Sequence, residues 1–154
     1  MTHRVSIWLV CMLMLAGCTE RAFYQRIDAV PNRTWDTGNR LVHEVIITDT
    51  VSSFDFYLNL RIGGDYPYSN MYLFVNTTFP NGKTARDTVE CVLADPTGRW
   101  LGKGLGDIRD NQILFKPKVR FPHGGTYRFE LEQGMRMAQL PEVFDVGMSI
   151  FPHH

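Results

Sequence analysis

The sequence predicts an all-β protein, an antiparallel β-sandwich of about seven or eight short strands. Apolar residues alternate with polar ones in one segment after another, which is the period of a strand with one buried face. Turn residues separate these segments at intervals of about ten residues, as in known sandwiches. No amphipathic helical pattern lies between the strands, which excludes a parallel α/β sheet because its crossovers need helices.

The organising element is a hairpin in residues 70–93, folded over Pro80-Asn81-Gly82. A two-residue Asn-Gly turn would place Leu73 opposite Glu90, whereas a three-residue loop places it opposite Val89. The three-residue loop keeps apolar residues on one face, so we predict it. Pro80 then fixes the φ of a type I turn, and Gly82 takes the left-handed conformation of the bulge.

The other strands follow from the same alternation, which is clearest between Phe54 and Ile62. Pro117 lies inside a later strand and indicates an edge or a bulge. Outside the hairpin, strands are predicted in residues 42–48, 54–62, 99–103, 113–121, 127–131 and 144–150. Residues 134–140 are predicted as a helical turn or a loop.

The segment before residue 38 is predicted to form a tether and a first edge strand, and residues 38–154 the sandwich domain. Pro31-Asn32 marks a turn. Four apolar side chains of this segment are expected to dock on the domain: Phe23, Ile27, Val30 and Trp35.

A glycine-rich segment follows the predicted turn Asp95-Pro96-Thr97-Gly98. Its glycines lack the spacing of a phosphate-binding loop, so we predict a flexible loop or a bulged edge: Gly102, Gly104 and Gly106. Three oxygen-bearing side chains come next without the pattern of a calcium loop: Asp107, Asp110 and Asn111. We predict a solvated turn there, with Ca²⁺ binding as the alternative.

Residues 125–129 resemble the tyrosine corner of immunoglobulin-like sandwiches, in which a Tyr hydroxyl returns to a nearby backbone group. Tyr127 is the tyrosine of that motif. Phe129 occupies the position of the antibody cysteine, so the motif supports a sandwich but not an antibody-type domain. The sandwich is therefore predicted to be immunoglobulin-like or jelly-roll-like.

Residues 1–17 have the parts of a secretory signal peptide: a basic start, an apolar run too short to span a bilayer, and small residues at the end. Leu15-Ala16-Gly17-Cys18 resembles the bacterial lipobox. The resemblance implies that Leu15, Ala16 and Gly17 are recognised by the lipoprotein signal peptidase, and that Cys18 receives diacylglycerol and an N-acyl chain. Several acyl chains would anchor the protein stably, and an ordinary cleaved leader is the alternative.

Charge and cysteine content exclude several classes of protein. The chain has 16 Lys and Arg against 16 Asp and Glu, and loss of Arg4 with the leader would make the net charge −1. A nucleic-acid partner is therefore not expected. Cys11 leaves with the leader and Cys18 carries lipid, so Cys91 has no disulfide partner and is predicted to be a small buried hydrophobic residue.

No motif names an active site, so we predict that the protein is not an enzyme and holds no metal or cofactor beyond its lipid. The histidines lack metal-ligand spacing, and no G-x-S-x-G elbow occurs. Three carboxylates could converge only in three dimensions, and each has a simpler role on a strand or in a turn: Asp87, Glu90 and Asp107.

An aromatic and polar cluster is the remaining candidate for binding. Its rings and hydrogen-bonding groups suit a protein strand or a sugar: Tyr66, Tyr68, Asn70, Arg99 and Trp100. The alternative is that Pro67 makes a tight corner and the tyrosines pack over the open end of the sandwich. The sequence leaves both interpretations open.

Several motifs together resemble the GldH family of gliding-motility lipoproteins of the Bacteroidetes. They are spread over nearly the whole chain: residues 66–71, 87–90, 93–95, 98–104, 125–127, 132–136 and 145–147. The resemblance implies a cell-envelope lipoprotein that acts with other envelope or gliding-machinery proteins, with no catalytic residues to carry over. Residues 141–142 and 151–152 fit the family pattern least well.

From the leader, the all-strand pattern and the missing active site we expect a membrane-tethered, protein-binding adaptor, with a glycan-binding module as the alternative. The residues after Cys18 lack the acidic run that resembles a surface-export signal in these bacteria. We therefore expect an anchor that faces the periplasm, in either the inner or the outer membrane.

Overall fold

The structure, a computed structural model, describes residues 21–154, so the predicted leader, the lipobox and Cys18 lie outside the described residues. It contains ten strands and a short 3₁₀ turn at Pro31–Arg33. The strands are β1 Tyr24–Ala29, β2 Thr34–Asp36, β3 Leu41–Ile47, β4 Phe54–Gly63, β5 Asn70–Thr78, β6 Thr84–Val92, β7 Ile108–Val119, β8 Gly125–Gln133, β9 Gln139–Pro141 and β10 Val143–Pro152.

Two four-stranded antiparallel sheets face each other, which confirms the predicted sandwich. Sheet 1 has the order β1-β10-β4-β7, sheet 2 the order β3-β8-β5-β6, and β2 pairs with β9. Each strand pairs with its counterpart counted from the other end of the chain, β1 with β10 and so on inward to β5 with β6. The chain is thus a folded two-stranded ribbon, the topology of a jelly roll.

The tip of that ribbon is the predicted hairpin. Leu73 lies opposite Val89, as the three-residue loop requires. The amide of Phe79 donates to the carbonyl of Lys83 at 2.8 Å, and Gly82 has φ of +81°. The predicted loop length, register and glycine conformation are therefore confirmed.

The core lies between the sheets, where the alternating apolar side chains of β4 meet those of β8 and β5. Phe56 is 3% exposed, and its ring centroid lies 5.6–6.0 Å from those of Phe115, Phe121 and Phe129. Burying one such side chain fully contributes about 1.5–3 kcal/mol, so this aromatic cluster is a large part of what holds the sheets together.

The tyrosine corner is present. The Tyr127 hydroxyl donates to the carbonyl oxygen of His123 at 2.9 Å, and its ring is buried. Cys91 is fully buried, as predicted, and burial raises the pKa of its thiol to about 12.

The N-terminal segment is part of the body from Tyr24 onward. β1 is an edge strand of sheet 1, and Val30 and Trp35 are buried as expected. The expectation for Ile27 is wrong: its side chain is 49% exposed, because it lies opposite Gly147 on the face of β1 that points away from the core, whereas Tyr24 on the other face packs against the core. Phe23 is 40% exposed and contacts the Phe54 ring.

The structure of β7 decides two further expectations, one about Asp110 and Asn111 and one about Pro117. Asp110 and Asn111 do not form a solvated turn, since they lie within β7 and pair with β4. Pro117 sits where the β4–β7 register shifts and beside Lys118, whose φ is +55°, so the predicted edge strand with a bulge is confirmed. Residues 134–138 form a loop that leads into β9, with no helical turn.

The sandwich has two ends, and the first strand of the described chain begins at one of them. β1 begins at the same end as the loops of residues 48–53, 79–83 and 120–124, and we call this the tether end. The far end carries the loops of residues 30–40, 64–69, 93–107 and 134–142. Within residues 21–154, no helix has the length and apolar character needed to cross a membrane.

Candidate binding surfaces

The aromatic cluster predicted from the sequence forms at the far end. The ring centroids of Tyr66 and Tyr68 are 6.0 Å apart, and Trp100 lies 6.4 Å from Tyr66. The Tyr66 hydroxyl donates to the carbonyl of Asn70 at 3.1 Å, across the corner that Pro67 makes. Burial raises the pKa of Tyr66, which is 4% exposed.

Tyr66 therefore holds the corner together and presents no ring face to a partner. Tyr68 and Trp100 are half-buried and keep an exposed edge. The side-chain amide of Asn70 donates to Glu90 at 2.7 Å, and exposed Arg99 pairs with Asp95 at 3.1 Å. The packing interpretation is correct for Tyr66, and of the five predicted residues Tyr68, Arg99 and Trp100 retain surface for binding.

The glycine-rich segment attaches to the edge of β7. Lys103 and Asp110 exchange backbone hydrogen bonds of 2.9 and 2.6 Å. A Cβ on Gly102 would lie 2.6 Å from the Asn111 side chain, and one on Gly104 only 2.0 Å from the Ile108 carbonyl oxygen. The glycines thus permit close approach of two backbones, which agrees with a bulged edge.

This segment forms one wall of a groove of about 720 Å³ on the outer face of sheet 1. Leu101 to Lys103 stands on one side and Ile27 on the other. Polar side chains of three strands make the floor: Asn59, Arg61, Asp110, Gln112 and Asp145.

Arg61 is fixed at the centre of the groove floor. Its Nε donates to Asp110 at 2.6 Å and an Nη donates to Asp145 at 3.3 Å, so one guanidinium joins three neighbouring strands. These hydrogen bonds raise the Arg61 pKa further above its usual value. With Lys103 at the wall, two cations face two anions, and the groove suits a neutral polar ligand better than a charged one.

The sequence pattern placed Asn59 and Arg61 on an outer strand face but did not reveal this groove. Arg61 is 49 residues from Asp110 and 84 residues from Asp145. Only the tertiary pairing of β7, β4 and β10 brings them together.

A second surface is the free edge of β6. Odd-numbered residues of β6 bond to β5, as the Phe79–Lys83 and Ser69–Leu93 hydrogen bonds at its two ends require. The N–H and C=O groups of the even-numbered residues therefore point away from the sheet: Thr84, Arg86, Thr88, Glu90 and Val92. No hydrogen bond within the described chain occupies them.

The other edges are protected. β7 is interrupted by Pro117 and its bulge and capped by Lys103. β1 and β3 lie side by side, joined by Asp28 and His43. β6 contacts β7 through one side-chain ion pair, Lys116–Asp87, but it pairs with β5 over nine residues without a register shift or a proline. Among the edge strands of the two four-stranded sheets in the described chain, β6 is therefore the one whose backbone edge is open.

Metal-binding geometry is not found in residues 21–154, where no three His, Cys, Asp or Glu side chains stand close enough together to hold an ion. Asp87, one of the three carboxylates considered from the sequence, pairs with Lys116 at 2.5 Å. Glu90 accepts from Asn70, and Asp107 is exposed just before β7.

Comparison with known proteins finds similarity over nearly the full length of this chain. The family model described as GldH lipoprotein matches residues 22–150. The "Gliding motility lipoprotein GldH homolog" of Christiangramia forsetii is 29% identical over 153 residues, 95% of this chain and 93% of that protein. The "Gliding motility lipoprotein GldH" of Flavobacterium johnsoniae is 26% identical over 152 residues, 94% of each chain.

Proposed function

The chain belongs to the GldH lipoprotein family, and from this premise we propose that it is a non-catalytic adaptor that binds an extended segment of another envelope protein along β6. Membership makes it a cell-envelope lipoprotein related to gliding-motility proteins. The more specific role that we propose, an adaptor within the gliding machinery, is argued from the hydrogen-bonding groups that its surface leaves unpaired.

The observation that carries the adaptor role is the open edge of β6. Five residues present unpaired backbone donors and acceptors in one row, and an added strand satisfies them without any rearrangement of the sandwich. Arg86 and Glu90 flank Thr88 on the outer face. Both side chains already have partners within the sheet, since Arg86 pairs with Glu132 at 3.3 Å and Glu90 accepts from Asn70 at 2.7 Å. The backbone groups of β6 therefore carry the proposed binding.

The lipid anchor favours a different protein over a second copy as the occupant. Antiparallel pairing of β6 with β6 of a second copy would turn that copy end over end, so the two tether ends would point in opposite directions. Six residue steps separate Cys18 from Tyr24 and span at most about 20 Å, whereas β6 with its nine residues is about 30 Å long. With the strands perpendicular to the membrane, one of the two anchors would therefore lie too far from the bilayer to insert.

A proline at Thr88 tests the adaptor role. Thr88→Pro removes an outward N–H while leaving every β5–β6 hydrogen bond, and Thr88→Val keeps the backbone and changes only the side chain. Co-purification from detergent-solubilised envelopes should recover partner proteins with wild type and Thr88→Val but not with Thr88→Pro. Equal recovery with folded Thr88→Pro, checked by its melting temperature, would refute the edge as the binding surface.

The anchor itself is tested at Cys18. We expect the envelope-extracted protein to begin at Cys18 and to carry the mass of diacylglycerol and an N-acyl chain. Cys18→Ser should lose that mass and fail to be processed at this position. An unmodified N-terminus in the wild-type protein would refute lipidation.

Glycan binding is the second candidate, and the groove on sheet 1 is the observation that favours it. Its balanced donors and acceptors, between the aliphatic walls of Ile27 and Leu101, suit a neutral sugar chain. The test is binding to an oligosaccharide array by wild type and Arg61→Ala, with the exposed Arg136→Ala, which lies outside the groove, as control. Signal from wild type and Arg136→Ala that Arg61→Ala abolishes would support this function over the adaptor.

A further inference from the structure

The lipid anchor, on which this inference rests, places one end of the sandwich next to the bilayer. The chain between Cys18 and Tyr24 reaches at most about 20 Å. Tyr24 pairs with Ile150 near the end of β10, beside the start of β4 at Phe54. The tether end of the body therefore stays within reach of the lipid headgroups, whatever the body binds at its far end.

The tether end is a defined surface made of three loops. Phe54 pairs with Val119 and Ile47 pairs with Gly125, which brings residues 48–53 and 120–124 together. The tip of the β5–β6 hairpin joins them, because a Cβ on Gly125 would lie 2.9 Å from Pro80. One face of the molecule thus combines loops that are far apart in the sequence.

This face carries three cations and two carboxylates, so positive charge exceeds negative charge by one. Lys83, Lys118 and Arg120 lie on it, and among the described residues none of the three has an Asp or Glu carboxylate within 4.0 Å. Its two acids are engaged locally. Asp49 accepts the amides of its own turn, and Asp55 accepts from Lys118 N and contacts His153 at 2.9 Å.

An exposed apolar residue stands among these cations. Val51 is 80% exposed at the apex of residues 48–53. An exposed aliphatic side chain on the same face as lysine and arginine is the composition of surfaces that rest in the interface of an anionic bilayer.

The far end lacks this combination. Leu105 is 96% exposed there, but each neighbouring segment that carries a cation also carries an acid: Lys103 with Asp107, Arg136 with Glu142, and Arg33 with Asp36. Charge and tether length therefore select the same end of the molecule.

We propose that the tether end docks on the anionic phospholipid surface of the membrane that holds the anchor, with Lys83, Lys118 and Arg120 at the headgroups and Val51 in the interface. The sandwich then stands upright on the bilayer. β6 runs from the membrane surface to the far end, and its edge stays accessible along its length.

A fluorescent label at Val51 tests the docking directly. Val51→Cys and, as the matched far-end control, Leu105→Cys are labelled with an environment-sensitive dye in the lipidated protein. Cys91 is fully buried and stays unlabelled. In nanodiscs containing phosphatidylglycerol, spin-labelled lipids should quench the dye at position 51 and not at position 105. In phosphatidylcholine discs the quenching at position 51 should be lost.

Variants that remove positive charge test whether the three cations cause the docking. Lys83→Gln, Lys118→Asn and Arg120→Gln together should lower the ratio of docked to undocked protein by about tenfold or more, since each cation contributes independently. Asn suits the left-handed backbone at position 118. The control, Arg33→Asn with Lys103→Gln and Arg136→Gln, should leave quenching unchanged.

Equal quenching at positions 51 and 105, or stronger quenching at 105, would overturn the docking proposal. Insensitivity of the position 51 signal to lipid charge would overturn it as well. Failure of the anchor is distinguishable, because an unlipidated protein would not be retained in the discs and its mass would lack the acyl chains.

Discussion

The imidazole Nε2 of His43 lies 3.0 Å from the Asp28 carboxylate, where β3 and β1 meet across the side of the sandwich. His43 is fully buried, and the Tyr24 hydroxyl is 3.1 Å from its Nδ1. The Nε2 contact lacks the directional geometry of a hydrogen bond. This pair connects the first strand after the tether to the opposite sheet.

The stability of the protein should fall in mild acid because of His43. Burial lowers its pKa below the unfolded value of 6.5, and the nearby Asp28 carboxylate opposes that shift only in part. The unfolded chain therefore takes up a proton first as pH falls through about 6.5, so the free energy of unfolding drops until the lower folded pKa is passed.

Urea unfolding at pH 7.5 and 5.5 measures this effect. His43→Gln should show a smaller drop between the two pH values than wild type, and the exposed His123→Gln should behave as wild type. The same drop in wild type and His43→Gln would rule out His43 as the cause.

Tyr127→Phe should destabilise the protein by about 1 kcal/mol, since it removes the hydrogen bond from the Tyr127 hydroxyl to the His123 carbonyl and leaves the ring in place. Tyr57→Phe is the control, because that hydroxyl makes no hydrogen bond within the described residues. Calorimetry or urea unfolding distinguishes them, and equal effects of the two changes would contradict the tyrosine corner.

Gly82→Ala should destabilise the hairpin by about 1 kcal/mol. Nothing lies within 4 Å of a Cβ at this position, so the cost comes from φ of +81° alone. Gly82→Asn should cost less, because Asn tolerates this conformation. A loss with Asn as large as that with Ala would indicate that backbone conformation is not the reason.

Gly104→Ala should detach the glycine-rich segment from β7, since its Cβ would meet the Ile108 carbonyl oxygen at 2.0 Å. Hydrogen exchange at the amides of Lys103 and Asp110 should accelerate, while exchange at Val89 in the hairpin stays slow. Gly124→Ala, whose nearest contact is an ordinary 3.4 Å, serves as the control. Unchanged protection at Lys103 would show that the segment is not held at β7.

The local sequence pattern was sufficient to predict the structure wherever residues close together in the chain are also close together in space. The register of Leu73 with Val89 follows from loop length and alternation, and both are properties of one hairpin. The tyrosine corner joins two residues only four positions apart and is predictable for the same reason.

The sequence pattern gave wrong predictions where pairing with a strand distant in the chain determines the position of a residue. The sequence predicts a solvated turn at Asp110, where oxygen-bearing residues occur without the pattern of a calcium loop, yet β4 pairs with Asp110 and makes it part of β7. Ile27 looked like a core residue, but the pairing of β1 with β10 turns it outward. The choice between jelly roll and immunoglobulin topology likewise depends on which sheet each strand joins, and side-chain alternation carries no information on that.

Site-specific photo-crosslinking in intact cells would decide whether β6 receives a partner strand. A photoreactive amino acid at Thr88 or Arg86 should give a crosslink to one envelope protein, and the same residue at exposed Ile46 on β3 should not. Thr88→Pro should abolish the Arg86 crosslink. No protein crosslink at either β6 position, or the same products from Ile46, would contradict the adaptor function.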